Sequence, residues 1–124
     1  PTFDLQTIKA IQTIGNQGDG RFETWFDALE FMKNEIDKMD YDVCLLGCGA
    51  YGMPLAAHVK RSGKKAVHLG GSLQLLFGIR GARWENSNYN ATYNYSKLMN
   101  EFWVKPSATE TPSKAQQVEE GCYW

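Results

Sequence analysis

An apolar run, Val43-Cys44-Leu45-Leu46, passes directly into Gly47-Cys48-Gly49-Ala50-Tyr51-Gly52. The stretch from Tyr51 to Ser62 then has helical character, with Pro54 tolerable in its first turn and Gly63 a natural stop. A G-x-G-x-x-G that leaves a strand and opens a helix constrains the fold more than any other feature of these 124 residues. The strand is wholly apolar, the kind that a parallel sheet buries on both faces. The pattern asks for a tight turn at Gly47, close backbone approach at Gly49, and helix–strand packing at Gly52 and Ala56. The helix start presents free N–H groups to an anion. Gly47, Gly49, Ala50, Tyr51 and Gly52 are therefore candidate phosphate-binding residues. The competing reading is a glycine-rich turn that binds nothing.

The remaining elements follow from periodicity. Leu5 to Ile14, rich in Thr and Ile, reads as a strand, although Ile8, Ile11 and Ile14 also fit a helical spacing. Asn16 to Gly20 is turn material. Phe22, Trp25, Phe26, Leu29, Met32, Ile36 and Met39 recur at three or four residues and predict an amphipathic helix whose aromatics belong to a core. Ala66 to Leu69 reads as a further strand, and Ser72 as the cap of a helix through Ile79. The order is β-α-β-α-β-α. It predicts an α/β, Rossmann-like domain with a small parallel sheet flanked by helices and right-handed crossovers. So thin a sheet needs cover on its faces and edges, which points to a piece of a longer protein. One domain is expected over 1–124: a core over 1–84, and a mostly irregular or helical, aromatic C-terminal extension over 85–124. Leu98, Met99, Phe102 and Trp103 stand at helical spacing, a short helix is expected to end near Gly121, and Tyr123 and Trp124 are expected to dock on the domain or on a partner.

Charge is unevenly spread. Residues 1–42 carry four basic and nine acidic side chains, residues 43–84 six basic and none acidic, and residues 85–124 three basic and five acidic. A centre without carboxylates cannot alone build a hard-metal site but suits a phosphate. Lys60, Arg61, Lys64 and Lys65 also fit the solvated C-terminal turn of a helix, where the dipole favours cations. The net charge of −1 argues against nucleic acid held by bulk positive charge. Three cysteines suit a reduced, cytoplasmic compartment. The uncharged stretch Val43 to Val59 is broken by glycines, Pro54 and His58, so no membrane span is expected. No metal is expected either. Asp40-Tyr41-Asp42 precedes a strand at the wrong end of the sheet, and Cys44 and Cys48 lack zinc-site spacing.

A dinucleotide site carries an acid about 20 residues after the glycine turn, for the ribose hydroxyls. Here that region reads Val67-His68-Leu69-Gly70-Gly71, without an acid, which demotes NAD(P). His68 stands in its place, either as a ligand contact or base, or as a histidine bonded to neighbouring backbone. Gly70-Gly71-Ser72 forms a second possible anion nest. Arg80 and Arg83, with Trp84, are possible accessory contacts, because arginine forks suit phosphate and Trp can stack. They follow a helix that runs away from the ligand edge, which favours a structural or partner-domain role.

The strings Asp42 to Gly52, Pro54 to His58, Gly63 to Gly71 and Gln74 to Gly81 together resemble the C-terminal half of bacterial proteins with a GT-D-type glycosyltransferase fold. The likeness extends weakly to Gly121-Cys122-Tyr123-Trp124. It implies a Rossmann-like domain handling a nucleotide-sugar. The family's D-x-E signature belongs to an N-terminal half that this chain lacks, and Asp19-Gly20-Arg21 has a basic residue where the motif needs Glu. Fold and ligand class carry over, whereas the catalytic acid does not. No cofactor is implied beyond a nucleotide-sugar as substrate, and a homo-oligomer or a missing N-terminal half is the expected partner.

Three readings follow: a nucleotide-sugar-binding part of a metal-independent glycosyltransferase, inactive alone; an NAD(P)-binding Rossmann domain; and a non-catalytic interaction or assembly domain that keeps its glycine turn for packing.

Overall fold

A computed structural model describes residues 2–13, 20–89, 92–117 and 119–124. The chain is mixed α/β: a two-stranded parallel sheet flanked by helices.

Helix α1, Trp25–Asp37, starts at a capping box. Thr24 Oγ1 accepts from the Asp27 N–H at 3.2 Å, and Asp27 Oδ2 accepts from the Thr24 N–H at 2.8 Å, so two donors at the helix start are satisfied reciprocally. Its stripe Ala28, Leu29, Met32 and Ile36 is buried, whereas Phe26 points to solvent. Strand β1, Val43–Leu46, leads through a 3-10 turn at Gly49–Tyr51 into α2, Gly52–Arg61. Strand β2, Lys65–His68, lies parallel to β1 in the register Val43↔Lys65 to Leu46↔His68. Cys44, Leu46 and Ala66 face α1 and α2 and close the core on Tyr51, Leu55 and Val59. On the opposite face Val43, Leu45 and Val67 stay exposed, so β1 is not buried on both faces as its apolar run predicts: the described helices that pack on the sheet cover one face.

Helices α3, Ser72–Leu76, and α4, Ala82–Glu85, are short. Between them Ile79 bridges Val104 in parallel, with Arg80 N–H donating to the Val104 carbonyl at 2.7 Å. This bridge ties the extension to the domain. Trp84, buried, packs its ring edge-on to Tyr89 and Tyr95 at 5.5 and 5.3 Å.

The structure corrects the sequence reading in several places. The strand expected over Leu5 to Ile14 does not form among the described residues; Ile14 and residues 16–19 of the expected turn lie outside them. The segment is held by single anchors instead of a ladder: Ile11 is buried in the core with its N–H on Met32 Sδ at 3.5 Å, and Gln6 Nε2 donates to the Asp40 carbonyl. The sheet therefore has two strands where three were expected. The helix from Ser72 stops at Leu76, short of Ile79, because Gly78 turns the chain at φ 66°. Ser72 does not cap it: Gly71 precedes the helix in helical conformation, with no side-chain cap bond. Leu98 to Trp103 make no helix beyond the single turn Tyr95–Leu98, which Asn94 caps; past it, the Asn100 side chain accepts from the Phe102 N–H, which diverts that donor from a helical bond. Toward the C-terminus, among the described residues, 3-10 turns at Ala115–Gln117 and Glu119–Gly121 stand where a short helix was expected.

Candidate functional site

Parallel pairing brings the two glycine turns side by side at the carboxyl edge. The Leu69 N–H donates to the Leu46 carbonyl at 2.9 Å, which carries the register one step past β2. A Cβ built at Gly47 would lie 2.7 Å from Leu73 Cδ2 and 3.0 Å from the Gly70 carbonyl oxygen. The first turn is thus packed directly on the second, and Gly47 is required for that approach.

Gly49 and Gly70 differ from Gly47. They adopt φ 53° and 56°, the left-handed region, and a Cβ on either would meet nothing within 4 Å. Open space therefore lies over both. The first N–H groups of the Gly49–Tyr51 turn, those of Gly49 and Ala50, have no partner within it. They belong to the run that continues into α2, whose positive dipole end lies at this edge.

Gly52 has a different task. A Cβ there would sit 2.1 Å from Cε1 of His68, so the imidazole occupies the volume that a side chain would need. The ring's Nδ1 donates to the Leu46 carbonyl at 3.2 Å, which fixes the proton on that nitrogen. His68 is thus a half-buried, backbone-bonded residue that joins the end of β2 to the start of α2. Tyr51 is buried, its ring stacked on Trp25 at 4.7 Å with an interplanar angle of 8° and its hydroxyl 3.1 Å from Thr13 Oγ1. Its side chain belongs to the core, and only its backbone belongs to the turn.

The second turn is partly covered. A Cβ at Gly71 would meet Cε1 of Tyr123 at 2.4 Å, and one at Gly81 would meet the Tyr123 carbonyl oxygen at 2.9 Å. Gln74 Nε2 donates to that carbonyl at 3.0 Å. Arg83 Nη1 donates to the Tyr123 hydroxyl at 2.9 Å, with its guanidinium 4.6 Å over the ring. Arg83 also pairs with Glu119, while Arg80 pairs with Glu85 at 2.5 Å. Sequence reasoning placed Tyr123 on the domain or a partner but did not foresee its contact with this edge; the signal was an apolar ending, which names no docking point.

Charge around the turns is sparse. His58, Lys60 and Arg61 occupy the last turn of α2, about 9–14 Å along the axis from its start. Lys64 donates to the Met39 carbonyl and lies 4.1 Å over the Tyr41 ring. The basic residues of the acid-free centre are thus spread over the fold; Arg83 is tied to the segment that contacts Gly71, whereas Arg80 is tied to Glu85 and, through its backbone, to Val104. Burial, and secondarily the Cys44 thiol, pushes the Cys48 thiol up to about 11, and burial also raises Cys44. A protonated Cys48 adds no negative charge to the first turn at neutral pH.

Surface clefts also occur among the described residues. One of about 240 Å³ borders Arg83, Tyr89, Glu119 and Cys122. Another, about 680 Å³, runs between Thr7–Gln12 and α1. Among the described residues no group of three His, Cys, Asp or Glu side chains is placed to hold a metal, and no helix is long and apolar enough to cross a membrane. Asp19 of the Asp19-Gly20-Arg21 sequence lies outside the described residues. No family model, curated protein or solved structure matches the chain.

Proposed function

We propose that the paired glycine turns hold the diphosphate of a nucleotide, and that the chain is the nucleotide-sugar-binding part of a glycosyltransferase-like protein. In this reading the two parallel strands belong to a Rossmann-like sheet completed by further strands, and the chain alone does not carry out the transfer. The observation that carries the reading is the pair Gly49 and Gly70. Both are left-handed, both have open space over them, and they sit at the carboxyl ends of neighbouring parallel strands. Open α/β sheets bind ligands at that edge, where backbone N–H groups can meet phosphate oxygens without a side chain between. Ala50 contributes its N–H, Gly47 and Gly52 permit the close packing that shapes the turns, and His68 positions the helix start. The likeness to GT-D-type proteins supports the choice of a nucleotide-sugar over NAD(P), as does the lack of an acid in Val67 to Gly71.

A thermal-shift panel tests this: UDP, GDP, dTDP, UDP-glucose, UDP-galactose, NAD and NADP. A ligand at 100 times its dissociation constant adds about 2.7 kcal/mol, several degrees for a domain of this size. The expected result is stabilisation by a nucleoside diphosphate or its sugar and not by NAD or NADP.

One observation favours a second reading, a non-catalytic assembly domain. Val43, Leu45 and Val67 are exposed on one face of a parallel sheet, a kind of sheet normally covered on both faces. That reading predicts no response to any nucleotide.

A further inference from the structure

Tyr123 stands between two features that a diphosphate would use. Its ring edge fills the space at Gly71, in the second glycine turn, while its face lies 4.6 Å under the Arg83 guanidinium. Arg83 is the cation in contact with the ring that covers that turn, and two of its three guanidinium nitrogens are already engaged. Nη1 donates to the Tyr123 hydroxyl at 2.9 Å, Nη2 pairs with Glu119, and Nε is buried without a hydrogen-bond partner among the described residues. The clamp around Arg83 therefore leaves part of the guanidinium unsatisfied.

The segment that supplies the clamp is attached by polar contacts and not by the core. Arg83 N–H donates to the Cys122 carbonyl at 2.8 Å, Ala82 N–H to the Trp124 carbonyl at 3.2 Å, and Gln74 Nε2 to the Tyr123 carbonyl at 3.0 Å. Tyr123 and Trp124 are only half-buried. The approach to this segment runs through Glu119 and Glu120 at φ 47° and 57°, left-handed positions that non-glycine residues seldom occupy. The Arg83–Glu119 pair is on the exposed side, with the Glu119 side chain 56% accessible. A segment held by a strained turn, an exposed ion pair and a few hydrogen bonds is of the low-stability kind that opens locally.

We propose that Cys122–Trp124 is a strap that closes the carboxyl edge, and that a nucleoside diphosphate binds by displacing Tyr123 and taking over Arg83. The exchange conserves the partner count of the guanidinium. It gives up one phenol and one carboxylate and gains phosphate oxygens in the bidentate geometry that suits its fork. Removal of the ring at the same time uncovers Gly71. This rests on the diphosphate reading above, and it adds a closed state that lowers apparent affinity by the fraction of open molecules.

The test is UDP binding by titration calorimetry to the full chain and to Glu119→Gln, Tyr123→Ala and Arg83→Gln, with circular dichroism melts on each. Glu119→Gln alters an exposed side chain and keeps the fold measurable if Tyr123→Ala melts early. Glu119→Gln and Tyr123→Ala are expected to bind UDP about tenfold tighter than the unaltered chain, and Arg83→Gln about tenfold more weakly. Equal or weaker binding by Glu119→Gln and Tyr123→Ala, or unchanged binding by Arg83→Gln, overturns the strap and leaves the diphosphate reading standing. Failure of UDP, and likewise of GDP and dTDP, to bind any of the four overturns that reading and the exchange with it.

Discussion

The imidazole of His68 lies where the side chain of residue 52 would be: a Cβ on Gly52 would approach Cε1 to 2.1 Å and Nδ1 to 2.3 Å. Through this contact the end of β2 meets the start of α2, and the third glycine of the motif serves the packing of a histidine. Gly52→Ala is therefore expected to destabilise the fold by about 1–3 kcal/mol, the usual range for overpacking. In Gly52→Ala/His68→Ala the added methyl has room. Urea unfolding of the two single variants and the double variant should give a favourable coupling of about 1 kcal/mol or more. Additive effects would show that the ring yields freely.

Tyr51 separates core from site. Its ring is stacked on Trp25 and its hydroxyl meets Thr13 Oγ1. Tyr51→Phe is expected to lose about 1 kcal/mol of stability with UDP affinity unchanged, and Tyr51→Ala about 3–5 kcal/mol. A loss of affinity in Tyr51→Phe at full stability would return the side chain to the ligand site.

These two residues also show what can be read from a chain of this kind. The stripe Ala28, Leu29, Met32, Ile36 was legible because its periodicity is local and its burial one-sided. The strands at Val43 and Ala66 were legible because each is a short apolar run, although that run did not reveal that one face of the sheet stays exposed. The glycine turn was legible as a turn because its pattern, too, is local. What each glycine is for was not, since Gly47 answers to Leu73, Gly52 to His68 and Gly71 to Tyr123, across 26, 16 and 52 positions of sequence. The Thr- and Ile-rich segment at 5–14 had β propensity, but Ile11 found its partner in Met32 of α1, and among the described residues of the segment no strand edge was engaged. Propensity yields to such tertiary contacts. Tyr51 sits inside the motif, yet its burial depends on Trp25, which no spacing rule connects to it.

The Cys48 thiol gives a pH signature. Its folded value, about 11, lies above the ordinary 9.0, chiefly because burial disfavours the thiolate. A group raised in the folded state contributes stability that is fully present below the ordinary value and is lost as pH climbs through the folded one. The stability difference between the unaltered chain and Cys48→Ser should hold constant below pH 9 and shift against the unaltered chain between pH 9 and 11. Alkylation of native Cys48 at pH 8 should run about tenfold or more slower than in urea. Equal rates would place the thiol in solvent.

Gly49 is the residue on which binding and folding can be told apart. At φ 53° a β-branched residue is strained, so Gly49→Val would confuse the two effects. Asn tolerates this conformation best among residues with a side chain. Because nothing lies within 4 Å of the Cβ position, Gly49→Asn is expected to fold with a loss of about 1 kcal/mol or less. Its carboxamide then stands in the space reserved for phosphate, and UDP binding should be lost.

The most direct measurement is a ¹⁵N–¹H NMR titration of the full chain with UDP, following the amides of Gly49, Ala50 and Gly70. The account predicts saturable shifts at these three amides that are absent in Gly49→Asn. Resonances at the turns that stay in place at millimolar UDP, GDP and dTDP alike, or that move alike in Gly49→Asn, would contradict it.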